Sequence, residues 1–282
     1  MYKLSVKNSN GDTLVLSNSD KYTVYNIEGL NPAKATISKS VNTTQDGSVI
    51  NFTTVESRNI VIYMTIEGDI ETNRINLYKY FTPKKNVSLY FKNDTRDVYI
   101  EGVVELIECN LFANKQTAQI SIICPKPYFK DVNEFISSFS DISKLFEFPF
   151  SIPEIGVELS SITTNIRKTI PYTGDVEAGI IIQLFANGEV VNPQIYNVFD
   201  KTYFKLNMTL QESDTLVINT NVGEKSVSLI RNGVKTNGLG YMSPDSTWFM
   251  LSAGDNVFTY ECDSGSSNLD ITFTTSLLYG GV

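Results

Sequence analysis

Residues 58–91 read RNIVIYMTIEGDIETNRINLYKYFTPKKNVSLYF, and their reading decides the fold class. Ile60, Ile62, Met64 and Ile66 alternate with Val61, Tyr63 and Thr65, the period of two of a strand with one strongly apolar face. Asp69 stands where a helix N-cap belongs, its carboxylate available to the free amides of a first turn, and Glu71 adds favourable charge there. Ile70, Leu77, Tyr78 and Phe81 are predicted to share one helical stripe. Pro83, followed by Lys84 and Lys85, ends the element. Val87, Leu89 and Phe91 then resume the strand alternation. One helix set between strands, sharing their apolar side, is expected to cap a β-sheet or the end of an open barrel.

Outward from this segment the chain reads almost entirely as β. A hairpin is predicted over Tyr2–Leu16, turning at Asn10-Gly11. Strands follow at Tyr22–Ile27, Ala35–Ser40, Ser48–Val55 and Arg58–Ile66, and after the helix at Val87–Phe91, Asp97–Phe112 and Gln116–Cys124. Pro125, Pro127, Pro149 and Pro153 then cluster around an aromatic stretch holding Phe129, Phe135, Phe139, Phe146, Phe148 and Phe150, with no sustained alternation. Proline punctuation with lost periodicity marks a junction, and the phenylalanines make it a packed connector. From Gly156 onward short strands alternate with turn signals such as Asn187-Gly188 and Asn232-Gly233, the pattern of an antiparallel sandwich. Its predicted strands are Val157–Arg167, Ala178–Phe185, Tyr203–Met208, Thr215–Thr220, Lys225–Arg231, Asn256–Glu261 and Asn268–Thr275. The organisation expected is therefore a first domain over 1–130, a packed connector over 131–155 and a β-sandwich over 156–282.

With 282 residues the chain has length for about two domains. Its 41% hydrophobic and 19% charged residues are those of an ordinary folded protein rather than a disordered one. Sixteen Phe and fifteen Tyr against a single Trp suit β structure. The formal net charge of −8 opposes passive adhesion to nucleic acid or anionic lipid, which needs clustered Lys and Arg. No apolar run approaches the length of a membrane span, and the N-terminus lacks the apolar core of a secretion signal.

The sequence contains no histidine, which removes Ser-His-Asp and Cys-His catalysis and the commonest metal ligand. Cys109, Cys124 and Cys262 have no metal-like spacing and are read as buried thiols rather than a disulfide framework. Gly238-Leu239-Gly240 lacks the strand-to-helix context of a dinucleotide loop. A glycosidase needs only two carboxylates; Glu101 and Glu105 are placed on one strand face, where a solvated row is the favoured account. Asp255, Asp263 and Asp270 fit no calcium loop and are assigned to turns. Trp248 is a weak candidate for a sugar-stacking platform, with packing at the rim of the sandwich core the preferred reading. No catalytic residue, cofactor or metal ligand is assigned.

The order of segments over nearly the whole chain resembles the distal tail proteins (Dit, the phage tail family) of long-tailed bacteriophages. In the first half the resemblance rests on GLNPAKATIS, QDGSVINFTTVESRNIVI, IEGDIETNRINLYKYF, VYIEGVVELIECNLF and ISIICPKPYF. In the second it rests on GDVEAGIIIQLF, VNPQIYN, LVINTNVGEKSVSLIRNG, WFMLSAGDNVFTYECDSGSSNLDITF and LLYGGV. It implies a mainly β chain: a β-barrel-like belt domain, related to the tail-tube fold and carrying one packed helix, followed by a galectin-like antiparallel β-sandwich. It further implies a non-enzymatic virion protein of the tail tip, assembled in the host bacterial cytoplasm. Such proteins form a homo-hexameric ring that joins the tail-tube protein to the tail-associated hub or lysin protein and carries receptor-binding or baseplate proteins. DNA passes the lumen without specific binding, an acidic lumen repelling it, and no membrane is involved. The alternative is a carbohydrate-binding module contacting host cell-wall polysaccharide. The chain has no spare length for the inserted sugar-binding modules of some members.

Overall fold

The computed structural model describes residues 2–17, 19–41, 46–144, 160–164 and 167–282. They divide into two compact units, one of Met1–Val132 with Leu278–Val282 and one of Asn133–Leu277.

The first unit holds β1 (Lys3–Asn8), β2 (Thr13–Val15), β3 (Tyr22–Glu28), β4 (Ala35–Ser40), β5 (Val49–Val55), β6 (Arg58–Ile66), α1 (Ile70–Tyr80), β7 (Asn86–Lys92), β8 (Asp97–Cys109), β9 (Thr117–Cys124) and the start of β10 (Phe129–Ser138). Seven strands form an antiparallel sheet in the order β2-β1-β7-β8-β9-β6-β3. The alternation read in β6 sets its register: Ile60, Ile62, Met64 and Ile66 are buried and face the same core as Ile120 and Ile122 of β9. β4 and β5 leave this sheet as a separate two-stranded ribbon.

The helix begins as its sequence dictates. Asp69 accepts from the Thr72 amide at 3.4 Å and from the Thr72 hydroxyl at 2.7 Å, and these bonds hold its carboxyl below the usual range. Leu77 and Phe81 are fully buried and carry the helix into the core. Tyr78, predicted on the same stripe, is exposed. Its place is taken by Asn73, one turn before Leu77, which is buried because its amide donates to the Glu67 carbonyl at 2.7 Å and its own carbonyl accepts from the Tyr22 hydroxyl at 3.0 Å.

Other differences follow from what each segment faces. β8 stops at Cys109 rather than Phe112, and Leu111 and Phe112 stand in the turn beyond it, the latter almost wholly exposed. A bulge between Val104 and Leu106 leaves Glu105 as the extra residue, but the burial alternation holds up to it, so Glu101 and Glu105 share the outer face as expected, Glu105 accepting from the Ser121 hydroxyl at 2.7 Å. The segment from Phe129, predicted without alternation, is a ten-residue strand, β10. The part of the predicted connector holding Phe146, Phe148 and Phe150 lies outside the described residues.

The second unit holds β11 (Ser140–Lys144), β12 (Ser160–Thr164), β13 (Arg167–Tyr172), β14 (Ile181–Ala186), β15 (Val190–Val191), β16 (Gln194–Asn197), β17 (Thr202–Lys205), β18 (Thr209–Leu210), β19 (Thr215–Asn219), β20 (Ser226–Arg231), β21 (Val234–Asn237), β22 (Gly254–Glu261) and most of β23 (Leu269–Tyr279). One antiparallel sheet runs β23-β14-β19-β20-β21 and another β13-β22-β16-β17. Phe258 of β22 and Phe273 of β23 meet at 5.1 Å between ring centroids, with Phe249 and Phe139 packed beside them. Aromatic pairs drawn from two sheets are the core of a sandwich. Asp214 is buried and takes a two-pronged bond from Arg231, which holds its carboxyl below the usual range.

Candidate assembly surfaces

Among the described residues the β4–β5 ribbon is a separate two-stranded sheet that exposes several large apolar side chains. Its strands pair in register from Ala35↔Val55 to Ser40↔Val49, with a bulge between Ser38 and Lys39. No described strand pairs with its outer edges. Ile37, Val49, Ile50 and Phe52 are 54–66% exposed. Cross-strand register places Ile37 and Ile50 on one face and Phe52 and Val49 on the other, so neither face is a polar one. A lone two-stranded hairpin is marginal in water, and a ribbon with apolar groups on both sides needs a cover. The sequence showed these residues as ordinary strand positions; their exposure is a tertiary fact.

The root of this arm is firmly built. Arg58, three residues after β5 ends, is 4% exposed. Its Nε donates to the Pro127 carbonyl at 2.8 Å, one terminal nitrogen to the carbonyls of Gly29 and Asn31, and the other to Gly280 at 2.6 Å. The guanidinium lies over the Phe129 ring at 4.7 Å. Burial pulls its pKa below the ordinary arginine value, and the four carbonyls supply the negative ends a buried cation requires. Gly29, at φ +86°, has no room for a side chain: a Cβ there would meet the Asn59 carbonyl oxygen at 2.2 Å.

Beside the outer edge of β3 lies an open groove of about 850 Å³ lined by Tyr2, Leu4, Tyr22, Val24, Phe91 and Val282. Tyr2 and Tyr25 are well exposed at its margin. No cluster of charged groups converges there.

Trp248 sits half-buried in the second unit, edge-on to Phe204 at 5.1 Å, with the Lys225 ammonium 5.7 Å from its ring centroid. A pyranose stacking on that ring would have to displace the cation. Asp263 accepts from the Asn192 amide at 2.6 Å and Asp270 from the Asn187 amide at 2.7 Å. No three Cys, Asp or Glu groups converge on a metal-sized point among the described residues. The three cysteines are unpaired, and burial pushes the Cys124 and Cys262 thiols up to about 11. No described helix is long and apolar enough to cross a membrane.

Charge is divided unequally. Residues 1–132 hold 15 Lys and Arg against 14 Asp and Glu, whereas residues 133–277 hold 8 against 17. The acidic excess of the whole chain therefore belongs to the second unit, and the first is close to neutral.

Comparison with known proteins agrees in both halves. Residues 9–124 match the family model of the phage tail protein RIFT-related domain. Residues 173–276 match that of the siphovirus-type tail component, C-terminal domain. No curated protein sequence matches. Among solved structures, the Dit protein (gp 19.1) of phage SPP1 is similar with a TM-score of 0.67 at 11% identity, over 96% of this chain and 98% of that one. A chain of the phage P2 baseplate in its activated conformation with Ca is similar with a TM-score of 0.53 at 11% identity, over 98% of both. The same baseplate with Sr gives 0.51 at 10% identity. Two tail-component families thus match in order along one chain with a Dit-like fold, and the chain belongs to the distal tail proteins of bacteriophages, structural components of the virion's tail and baseplate.

Proposed function

We propose that this chain forms a homo-hexameric ring at the tail tip, joining the last ring of tail-tube protein to the tail-associated hub. In this reading the first domain surrounds the channel through which DNA passes, and the second domain carries receptor-binding or baseplate proteins. The observation that carries it is the β4–β5 arm. An element with apolar side chains on both faces and two free edges is stable when a neighbour covers it. When each copy covers the arm of the next, the same contact repeats head to tail, and a ring results where the rotation from copy to copy closes. Free strand edges, otherwise an aggregation hazard, are satisfied in the same way. The near-neutral first unit, with an excess of a single cation, has little net charge to hold a phosphate backbone, which suits passage without retention. The role is mechanical, and no bond-making step is assigned to it.

Sedimentation velocity and negative-stain imaging of the purified chain, alone and with the tail-tube and hub proteins, test this. An annular particle of six copies is the expected result. A monomer at every concentration and with every partner overturns it.

A further inference from the structure

We propose that Arg58 is the positioning residue of the β4–β5 arm, and that residues 278–282, which bind beside it, are the clamp that sets the arm's root. The inference deepens the ring reading by naming what aims its contact element.

Besides the Pro127–Phe129 segment, three stretches distant in sequence meet at one guanidinium. Gly29 and Asn31 belong to the loop that leads into β4, and Arg58 itself opens β6 just after β5 ends. The two roots of the arm are therefore tied across the same side chain. Gly280 brings the third stretch, residues 278–282, which follow the entire second unit along the chain yet belong to the first. That stretch is held at several further points. The Val282 amide donates to the Leu30 carbonyl at 3.2 Å. Arg96 donates to the Gly281 carbonyl and lies over the Tyr279 ring at 4.3 Å. The Tyr279 hydroxyl meets the Asp131 carboxylate at 3.3 Å. Gly281 fits so closely that a Cβ would come within 3.0 Å of the Leu30 carbonyl oxygen and of Pro32.

The loop before the arm is thus pinned between the Arg58 fork and the 278–282 stretch. A planar five-donor fork serves four carbonyls in fixed directions, which an ammonium group cannot reproduce. Because residues 278–282 are made after the second unit, the arm root is completed only on a chain synthesised that far. A nascent first unit would lack its aimed contact element, which delays association until the rest of the chain is present.

Amide hydrogen exchange on the full chain, at a concentration where it is monomeric, tests the inference apart from ring formation. In Arg58→Met, amides of residues 30–57 and 278–282 are expected to exchange roughly ten- to a hundredfold faster, with β7, β8 and β9 unchanged. Arg58→Lys should restore part of the protection. Gly281→Val leaves Arg58 intact but forces the clamp off Leu30 and Pro32, and it should accelerate the same arm amides; it stands in should Arg58→Met fail to fold. Uniform acceleration across the first unit would make Arg58 merely structural and overturn the proposal, as would unchanged arm exchange in Gly281→Val. Arm exchange that responds as stated, in a protein that never forms an annulus, would uphold the inference and refute the ring.

Discussion

Replacing Phe52 by aspartate separates a contact arm from an ordinary surface strand. Phe52 is 60% exposed. A phenylalanine offers about 150–250 Å² for burial, so covering its exposed part removes roughly 100–150 Å² from water, or about 3 kcal/mol at 25 cal/mol per Å². Losing that contact weakens each copy-to-copy association by about a hundredfold, before any cost of burying the new carboxylate. Ile50→Asp on the opposite face should lose a further ~1–2 kcal/mol. The folded monomer should barely notice either change, since exposed substitutions usually fall within about 0.5 kcal/mol. Sedimentation velocity across a concentration series, paired with thermal denaturation, reads both quantities. The expected result is a shift to small species whose midpoint equals that of the dissociated wild-type chain. Unaltered assembly by the double variant would refute the arm as the ring contact. A midpoint lowered by many degrees would show instead that Phe52 is packed within its own chain.

Leu77→Ala should cost about 2–5 kcal/mol, because Leu77 is fully buried beneath the helix; chemical denaturation followed by circular dichroism measures it. Asp214→Asn should cost about 2 kcal/mol, less than a fully enclosed pair because the Arg231 side chain is 35% exposed. The Arg231 fork also fixes a pH dependence. The folded carboxyl lies below its unfolded value, so its contribution is fully present above about pH 4 and is lost as the pH falls through the folded pKa. The second unit should therefore melt at a constant temperature over the neutral range and lower below pH 4, with a smaller fall in Asp214→Asn. Trp248→Ala should leave retention on purified cell-wall polysaccharide unchanged in a pull-down, since its ring is engaged by Phe204 and Lys225.

Local rules were legible where local physics decides. Asp69 capping, the β6 alternation and the Asn10-Gly11 turn all follow from residues a few positions apart, and the structure has them where the pattern put them. Pattern and structure part where a residue serves something other than its own element's core. Phe112 extended the reading of β8 because an exposed phenylalanine looks like a buried one in sequence. The burial of Asn73 depends on Glu67 and Tyr22, partners that periodicity does not see. The candidate surfaces were less legible still. The β4–β5 strands were placed correctly, yet nothing in ATISKS or VINFTTV says that no layer covers them. Arg58 read as the first residue of a strand, and its four carbonyl partners lie 27 to 222 positions away.

The uneven division of charge bears on how copies can crowd together. Near-neutral first units can approach one another at little electrostatic cost, while second units, each with nine more acids than bases, repel at separations inside a Debye length of about 10 Å at 0.1 M salt. Copies that gather should therefore touch through their first units and hold the acidic sandwiches apart, with dilute buffer loosening the assembly and added salt tightening it. The same acidic surfaces attract cationic partners at long range, so a baseplate protein with a basic docking face would find its seat faster at low ionic strength.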